Sequence, residues 1–245
     1  MRCVVYVEGQ SEMLFVADVL QKYLGYDGRT LGLRCFNLFA NSSKPVGFPL
    51  RGNEQSRFFY QIVNVNNDNR VISKLVKDIP GLISAGFDII LGLKDVYGEA
   101  YSELCKSHSI ERKAIKRMYD IQSENLKKST ADVRLHFAIM EFEAWMLALI
   151  EGFLKSKGYD RNSFLKESGI DVHQDFENNI YHPASLLKDI LSRFGAHYDK
   201  RESDMYSFLS LLSKDDYELL RNSGKSSSFT KFMTSLFGGP CPELP

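Results

Sequence analysis

Through its first 157 residues the chain alternates between two hydrophobic rhythms. Short runs dense in Val, Ile, Leu and aromatic residues read as strands, and stretches with apolar positions three and four apart read as helices. Cys3-Val4-Val5-Tyr6-Val7 is the first run. Leu14, Phe15, Val19, Leu20 and Tyr23 behind it predict a helix that closes near Gly25 and the turn Tyr26-Asp27-Gly28. Leu33 to Phe39 predicts a second strand, residues 40–57, rich in Asn, Ser, Pro and Gly, a loop, and Phe58 to Val65 a third strand. Asn66-Asn67-Asp68 offers caps for a helix with Val71, Ile72, Leu75, Val76, Ile79, Leu82 and Ile83 on one stripe, and Gly81 and Gly86 mark its end. A strand over 87–93, a charged helix from Glu111 to Lys128 and a strand over 133–139 follow. A helix striped by Phe142, Trp145, Met146, Leu149 and Phe153 completes the alternation.

Strands alternating with helices predict an α/β fold with a mostly parallel central sheet flanked by helices. After Gly158 no long β-like run recurs, and residues 183–195, 203–212, 214–222 and 228–237 carry helical periodicity. The expected organisation is therefore an α/β core over 1–157 and a helical appendage over 158–245, with no internal repeat.

Composition changes this picture little. A chain of 245 residues, 44% hydrophobic and 25% charged, can bury an ordinary globular core. Lys plus Arg balances Asp plus Glu at 31 each, so no global positive field favours coating nucleic acid, though a local basic groove suffices for an enzyme. Cys3, Cys35, Cys105 and Cys241 lie far apart without a CxxC pair, which points away from zinc, and Cys3 and Cys35, in strand-like runs, read as buried inert thiols. The five histidines, His108, His136, His173, His182 and His197, have no metal-ligand spacing, and His136 reads as an internal or edge residue of its strand. The start lacks a signal peptide, and the longest apolar stretch, Leu135 to Ile150, is broken by Glu141 and Glu143. A cytoplasmic protein without membrane contact is expected.

The candidate chemistry is acidic. Glu8 follows the first strand, Asp95 the strand over 87–93, and Glu141 and Glu143 the strand over 133–139. In an open α/β sheet, ligands bind at the carboxyl ends of the strands, so parallel neighbours would bring these acids to one rim. Clustered carboxylates repel unless a proton or cation lies between them, and Mg²⁺ is the economical hard cation. The plainer readings are turn carboxylates and helix-start acids that complement the dipole. At ~100° per residue, periodicity does not choose between Glu141 and Glu143, although Glu141 is nearer the strand end. Lys106 to Lys128 holds seven basic residues against three acids. Within it Arg112/Lys116 and Lys113/Arg117 are like-charged i,i+4 pairs that weaken a helix unless an anion lies near. A solvated face and a phosphate-backbone track both account for that surplus.

Several short elements then line up in order. Val7-Glu8-Gly9-Gln10-Ser11-Glu12-Met13-Leu14-Phe15-Val16, Asp95-Val96-Tyr97-Gly98, Glu141-Phe142-Glu143-Ala144 and Tyr198-Asp199-Lys200 resemble the DUF4276 family of the Toprim-like superfamily, as do His182-Pro183-Ala184-Ser185 and Ser228-Phe229. The similarity covers nearly the whole chain. It implies a Toprim-like core, a fold shared with topoisomerases, bacterial primases and overcoming-lysogenization-defect nucleases, which act on phosphodiesters with Mg²⁺. By resemblance Glu8, Asp95 and Glu141 hold Mg²⁺ or Mn²⁺, Glu143 shares the catalytic role, and Lys200 contacts the scissile phosphate. Arg112, Lys113, Lys116 and Arg117 would then track DNA or RNA. The family's genes often lie beside an ABC/AAA-type ATPase, which implies a two-component anti-phage defence system. Two departures stand out. Tyr97 occupies the place of the second Asp of the usual pair, and Met140 stands where many relatives have His. The first favours an alternative, a non-catalytic Toprim-like subunit that binds a partner.

Overall fold

The computed structural model describes residues 1–39, 42–46, 52–67, 70–105, 109–124, 126, 129 and 131–239. Of the residues singled out above, Asp68, Lys106, His108, Lys127, Lys128 and Cys241 lie outside this set. The elements run β1 (Arg2–Val7), α1 (Gln10–Leu24), β2 (Leu31–Phe39), β3 (Ser42–Pro45), β4 (Phe58–Asn64), α2 (Arg70–Ser84) and β5 (Ile89–Asp95). Next come α3 (Glu99–Leu104), α4 (Arg112–Glu124), β6 (Asp132–Ala138), α5 (Glu143–Ala148), α6 (Ile150–Ser156), α7 (Arg161–Ser168) and α8 (Phe176–Asn179). The last four are α9 (Pro183–Arg193), α10 (Glu202–Leu209), α11 (Lys214–Ser223) and α12 (Ser227–Leu236).

Six strands form one sheet in the order β3-β2-β4-β1-β5-β6. β1 pairs in parallel with β4 (Val7 opposite Asn64) and with β5 (Tyr6 opposite Gly92), and β2 pairs in parallel with β4. The fold is α/β, with a mostly parallel sheet, flanking helices and a helical C-terminal portion. Buried parallel strands read as continuous apolar runs because both faces are covered, and Cys3 to Val7 are accordingly buried without a break.

Four expectations shift. The supposed loop over 40–57 contains β3, antiparallel to β2. Its Ser-Ser-Lys-Pro sequence is exposed throughout and held by backbone pairing at the sheet edge, where Pro is tolerated, so no apolar alternation marks it. Gly81 lies inside α2, and only Gly86, at φ +76°, follows it. The helix striped by Phe142 and Phe153 is broken at Leu149 into α5 and α6. Asp95 is the last residue of β5, not a loop residue past it.

The chain forms two compact units, each assembled from separated segments. The first contains residues 1–94, 112–137 and 231–245, and the second residues 95–111 and 138–230. The expected break at 157 falls inside the second unit. In the first, α1 packs against β2 and β4, and α2 against β1. Its last segment is fastened by Tyr60 Oη donating to the Leu236 carbonyl at 2.8 Å, and by Arg134 Nη1 donating to the Gly239 carbonyl at 2.6 Å. In the second, α5 packs against α8 and α9. Leu187, Ile190, Leu191 and Phe194 are buried, so the apolar side of α9 is consumed there. Cys3, Cys35 and Cys105 are buried thiols outside any disulfide, and burial pushes Cys35 up to about 12. Among the described residues no helix is long and apolar enough to cross a membrane.

Candidate functional site

The acids expected to act together are divided between the units. Glu8 belongs to the first, where it sits just beyond β1. Its Oε1 lies 3.8 Å from Lys94 Nζ, and both side chains are buried. No motif in the sequence points to Lys94. The available signal is a lysine set into the apolar run of β5, which has to meet a counter-charge if buried.

The second unit holds Asp95, Glu141, Glu143 and Lys200. Asp95 Oδ1 accepts from the Phe142 backbone N–H at 2.8 Å. The Val96 and Tyr97 N–H groups donate to the carbonyls of Ala138 and Met140. The segments after β5 and β6 are thereby laced together, and Met140 is held at φ +60° in the process. Glu141 Oε2 accepts the Ala184 N–H at 2.8 Å, capping α9 from a distant part of the chain. Glu143, only 1% exposed, opens α5; its Oε1 accepts from Tyr198 Oη at 2.8 Å and from Lys200 Nζ at 2.9 Å. Its Oε2 is buried with no hydrogen-bond partner among the described residues. Lys200 itself is held at φ +59°. Met140 and Lys200, two of the three non-glycine residues with positive φ among the described residues, both lie beside the acids, where the surroundings override local backbone preference.

Electrostatics follow from this arrangement. Burial, opposed by the Ala184 N–H and reinforced by the charge of Glu143, pushes the Glu141 carboxyl above its ordinary range. Burial pulls Lys200 down, but the carboxylates of Glu143, Asp95 and Glu141 outweigh it and hold the ammonium well above its usual range. Three carboxylates thus face one ammonium, and negative charge is in excess.

The donors suit a hard divalent cation in kind, being carboxylate oxygens with one buried acceptor left over. They are not assembled as a ligand shell. Among the described residues no group of three or more His, Cys, Asp or Glu side chains is placed to hold a metal ion, and the cation these acids face is Lys200.

Tyr97 is engaged edge-on with the rings of Tyr181 and His182, at 5.7 and 5.0 Å between centroids. Trp145 is buried, as its place on the stripe predicts, but it also anchors a polar cluster that the sequence does not reveal. Its Nε1 donates to Glu177 Oε1 at 3.0 Å and to Ser228 Oγ at 2.8 Å, and the hydroxyls of Ser226 and Ser228 both donate to Glu177. On α4, in the first unit, Arg112, Lys113, Lys116 and Arg117 are all exposed, and among the described residues none has an ion-pair partner.

A family model described as a domain of unknown function, DUF4276, matches residues 7–236. The chain belongs to the DUF4276 family. The match reaches from the residue before Glu8 to the end of α12, so every DUF4276 element named above lies within it. No curated protein and no solved structure matches the chain.

Proposed function

We propose that this DUF4276 protein is a Mg²⁺- or Mn²⁺-dependent nuclease that hydrolyses DNA or RNA phosphodiesters, with its working groups in the second unit. The observation carrying this reading is the acid cluster: Asp95, Glu141 and Glu143 around a single lysine, with one buried Glu143 oxygen unsatisfied. Lys200, kept protonated by its neighbours, is the group that neutralises a phosphate oxygen as charge develops on it. Glu143 and Tyr198 aim that ammonium, and the Phe142 N–H holds Asp95 in place. By resemblance, Asp95 and Glu141 are the carboxylates that would hold the divalent ion, which when bound supplies Lewis-acid polarisation and a more acidic water. For Glu8, in the first unit, a metal role rests on the resemblance alone. The exposed basic face of α4 and a partner ATPase in an anti-phage system belong to the same proposal.

A second reading has its own support. Every acid of the cluster already has an internal donor, and Tyr97 is packed against Tyr181 and His182 where the family resemblance would place a second Asp. These features suit a non-catalytic subunit that binds a partner.

The test is cleavage of mixed single- and double-stranded DNA and RNA in Mn²⁺ or Mg²⁺, with and without the ATPase, alongside Mn²⁺ titration by calorimetry. The nuclease reading expects cleavage lost in Asp95→Ala and Lys200→Ala, and Mn²⁺ binding that releases protons as the carboxyls give them up. No Mn²⁺ binding and no cleavage in any combination would leave the subunit reading standing.

A further inference from the structure

The first unit carries a second candidate site, a cleft of about 700 Å³ in the size range of ligand sites. Its floor is the face of the sheet formed by Phe36 of β2 and Val63 of β4, and one wall is α2. Arg70, Lys74 and Lys77 lie at helical spacing on that wall, and all three line the cleft. Among the described residues the only acid lining it is Asp78, which is taken up internally: it pairs with Lys74 at 2.8 Å and accepts from Tyr6 Oη at 2.7 Å. Arg70 and Lys77 remain exposed, with no ion-pair partner among the described residues. At the mouth, Phe39 keeps 49% of its surface in water, with Lys44 Nζ 5.2 Å from its ring centre.

An open cleft that combines two exposed cations with an exposed aromatic ring matches one chemistry, a flexible polyanion carrying flat rings. Cations follow the phosphates, and the aromatic face takes a base whatever its identity. A duplex keeps its bases stacked inside and offers Phe39 no ring, whereas a single strand does. We infer that this cleft binds a segment of single-stranded nucleic acid, with Arg70 and Lys77 on the backbone and Phe39 under a base. The inference deepens the nuclease reading by assigning the form of its substrate, and rests on that reading for the choice of polyanion.

Binding is measured by fluorescence anisotropy on the full chain in EDTA, with labelled oligo-dT, oligo-U and a duplex of equal length, over a series of salt concentrations. The single strands should bind about tenfold or more tighter than the duplex, the difference being one stacked base at least. Phe39→Ala should weaken single-strand binding roughly tenfold and leave the salt slope alone. The double variant Arg70→Gln/Lys77→Gln should flatten the slope by about 1.4, two contacts at roughly −0.7 each. All three side chains are exposed, so the variants leave the core intact. Equal affinity for duplex and single strand, or both variants behaving as the parent, would overturn the proposal. Metal-dependent cleavage is scored separately. Cleavage that needs Lys200 but ignores the cleft variants defeats the cleft alone, while single-strand binding that needs the cleft, with no cleavage in any metal, defeats the nuclease alone.

Discussion

Lys200 joins an unusual backbone to an unusual charge. It is held at φ +59°, and its ammonium is the direct counter-charge of a carboxylate that is only 1% exposed. Removing the lysine should therefore cost more than an exposed ion pair would, because Glu143 stays behind in the interior. Lys200→Met is expected to destabilise the protein by about 1–3 kcal/mol in urea unfolding, the cost of a buried carboxylate that loses its charged partner and keeps only Tyr198. Adding Glu143→Gln to that variant should recover most of the loss. If the double variant is no more stable than Lys200→Met, the pairing is not what holds Glu143. A second residue gives a pH signature. His136 is buried, its Nε2 lacks a hydrogen-bond partner among the described residues, and burial, together with the charges of Arg134 and Lys231, lowers its pKa to about 3. An unfolded histidine takes up its proton near ~6.5, whereas the folded one refuses it until far lower pH. Stability should therefore fall as pH drops below ~6.5, at up to about 1.4 kcal/mol per pH unit for one proton. His136→Phe should remove that slope between pH ~7 and ~5.5. An identical slope in the variant would place the titration elsewhere. At this scale the sequence reveals which residues are acidic and which strand each follows. It does not reveal the partners, since Lys94, Tyr198 and the Ala184 N–H reach their carboxylates from distant parts of the chain.

Among the elements, legibility tracks the strength of the apolar pattern. The four strands with Val-, Ile-, Leu- or Phe-rich runs after positions 3, 33, 58 and 133 are found where periodicity puts them, and so are α1, α2 and the helices beyond residue 183. β3 and α8 escape because nothing in Ser-Ser-Lys-Pro or Phe-Glu-Asn-Asn repeats at a structural period. α4 is the element with a prediction of its own. Its buried side is Ile115 and Met118, which leaves Arg112, Lys113, Lys116 and Arg117 to water. If these four track a duplex backbone, Lys113→Gln/Arg117→Gln should reduce the slope of log affinity against log salt by about 1.8, two contacts at roughly −0.9 each. An unchanged slope reduces α4 to a solvated helix.

For the whole molecule, the discontinuous units decide what a local change reaches. Phe232 of α12 is fully buried and meets the ring of His136 edge-on, 5.6 Å between centroids, within the first unit. Phe232→Ala should cost about 3–5 kcal/mol, the usual loss for an emptied aromatic site. Hydrogen exchange should locate the loss in the amides of β1 and β4, far away in sequence, while those of α9 keep their protection. Uniform loss over both units would mean that they unfold as one. The division at residues 94, 111, 137 and 230 is invisible to any reading that assumes each unit is continuous, since no change of composition marks those positions.

That arrangement also sets an order of events during synthesis. Residues 231–239 complete the first unit, yet they leave the ribosome only after the entire second unit has been made. β1 and β4 emerge early, with Tyr60 still lacking the Leu236 carbonyl and Tyr23 the ring of Phe237. The nascent first unit must therefore remain incomplete for more than half of the chain's elongation. It is in that interval that a chaperone, or a slowed ribosome, would have most effect on the yield of folded protein.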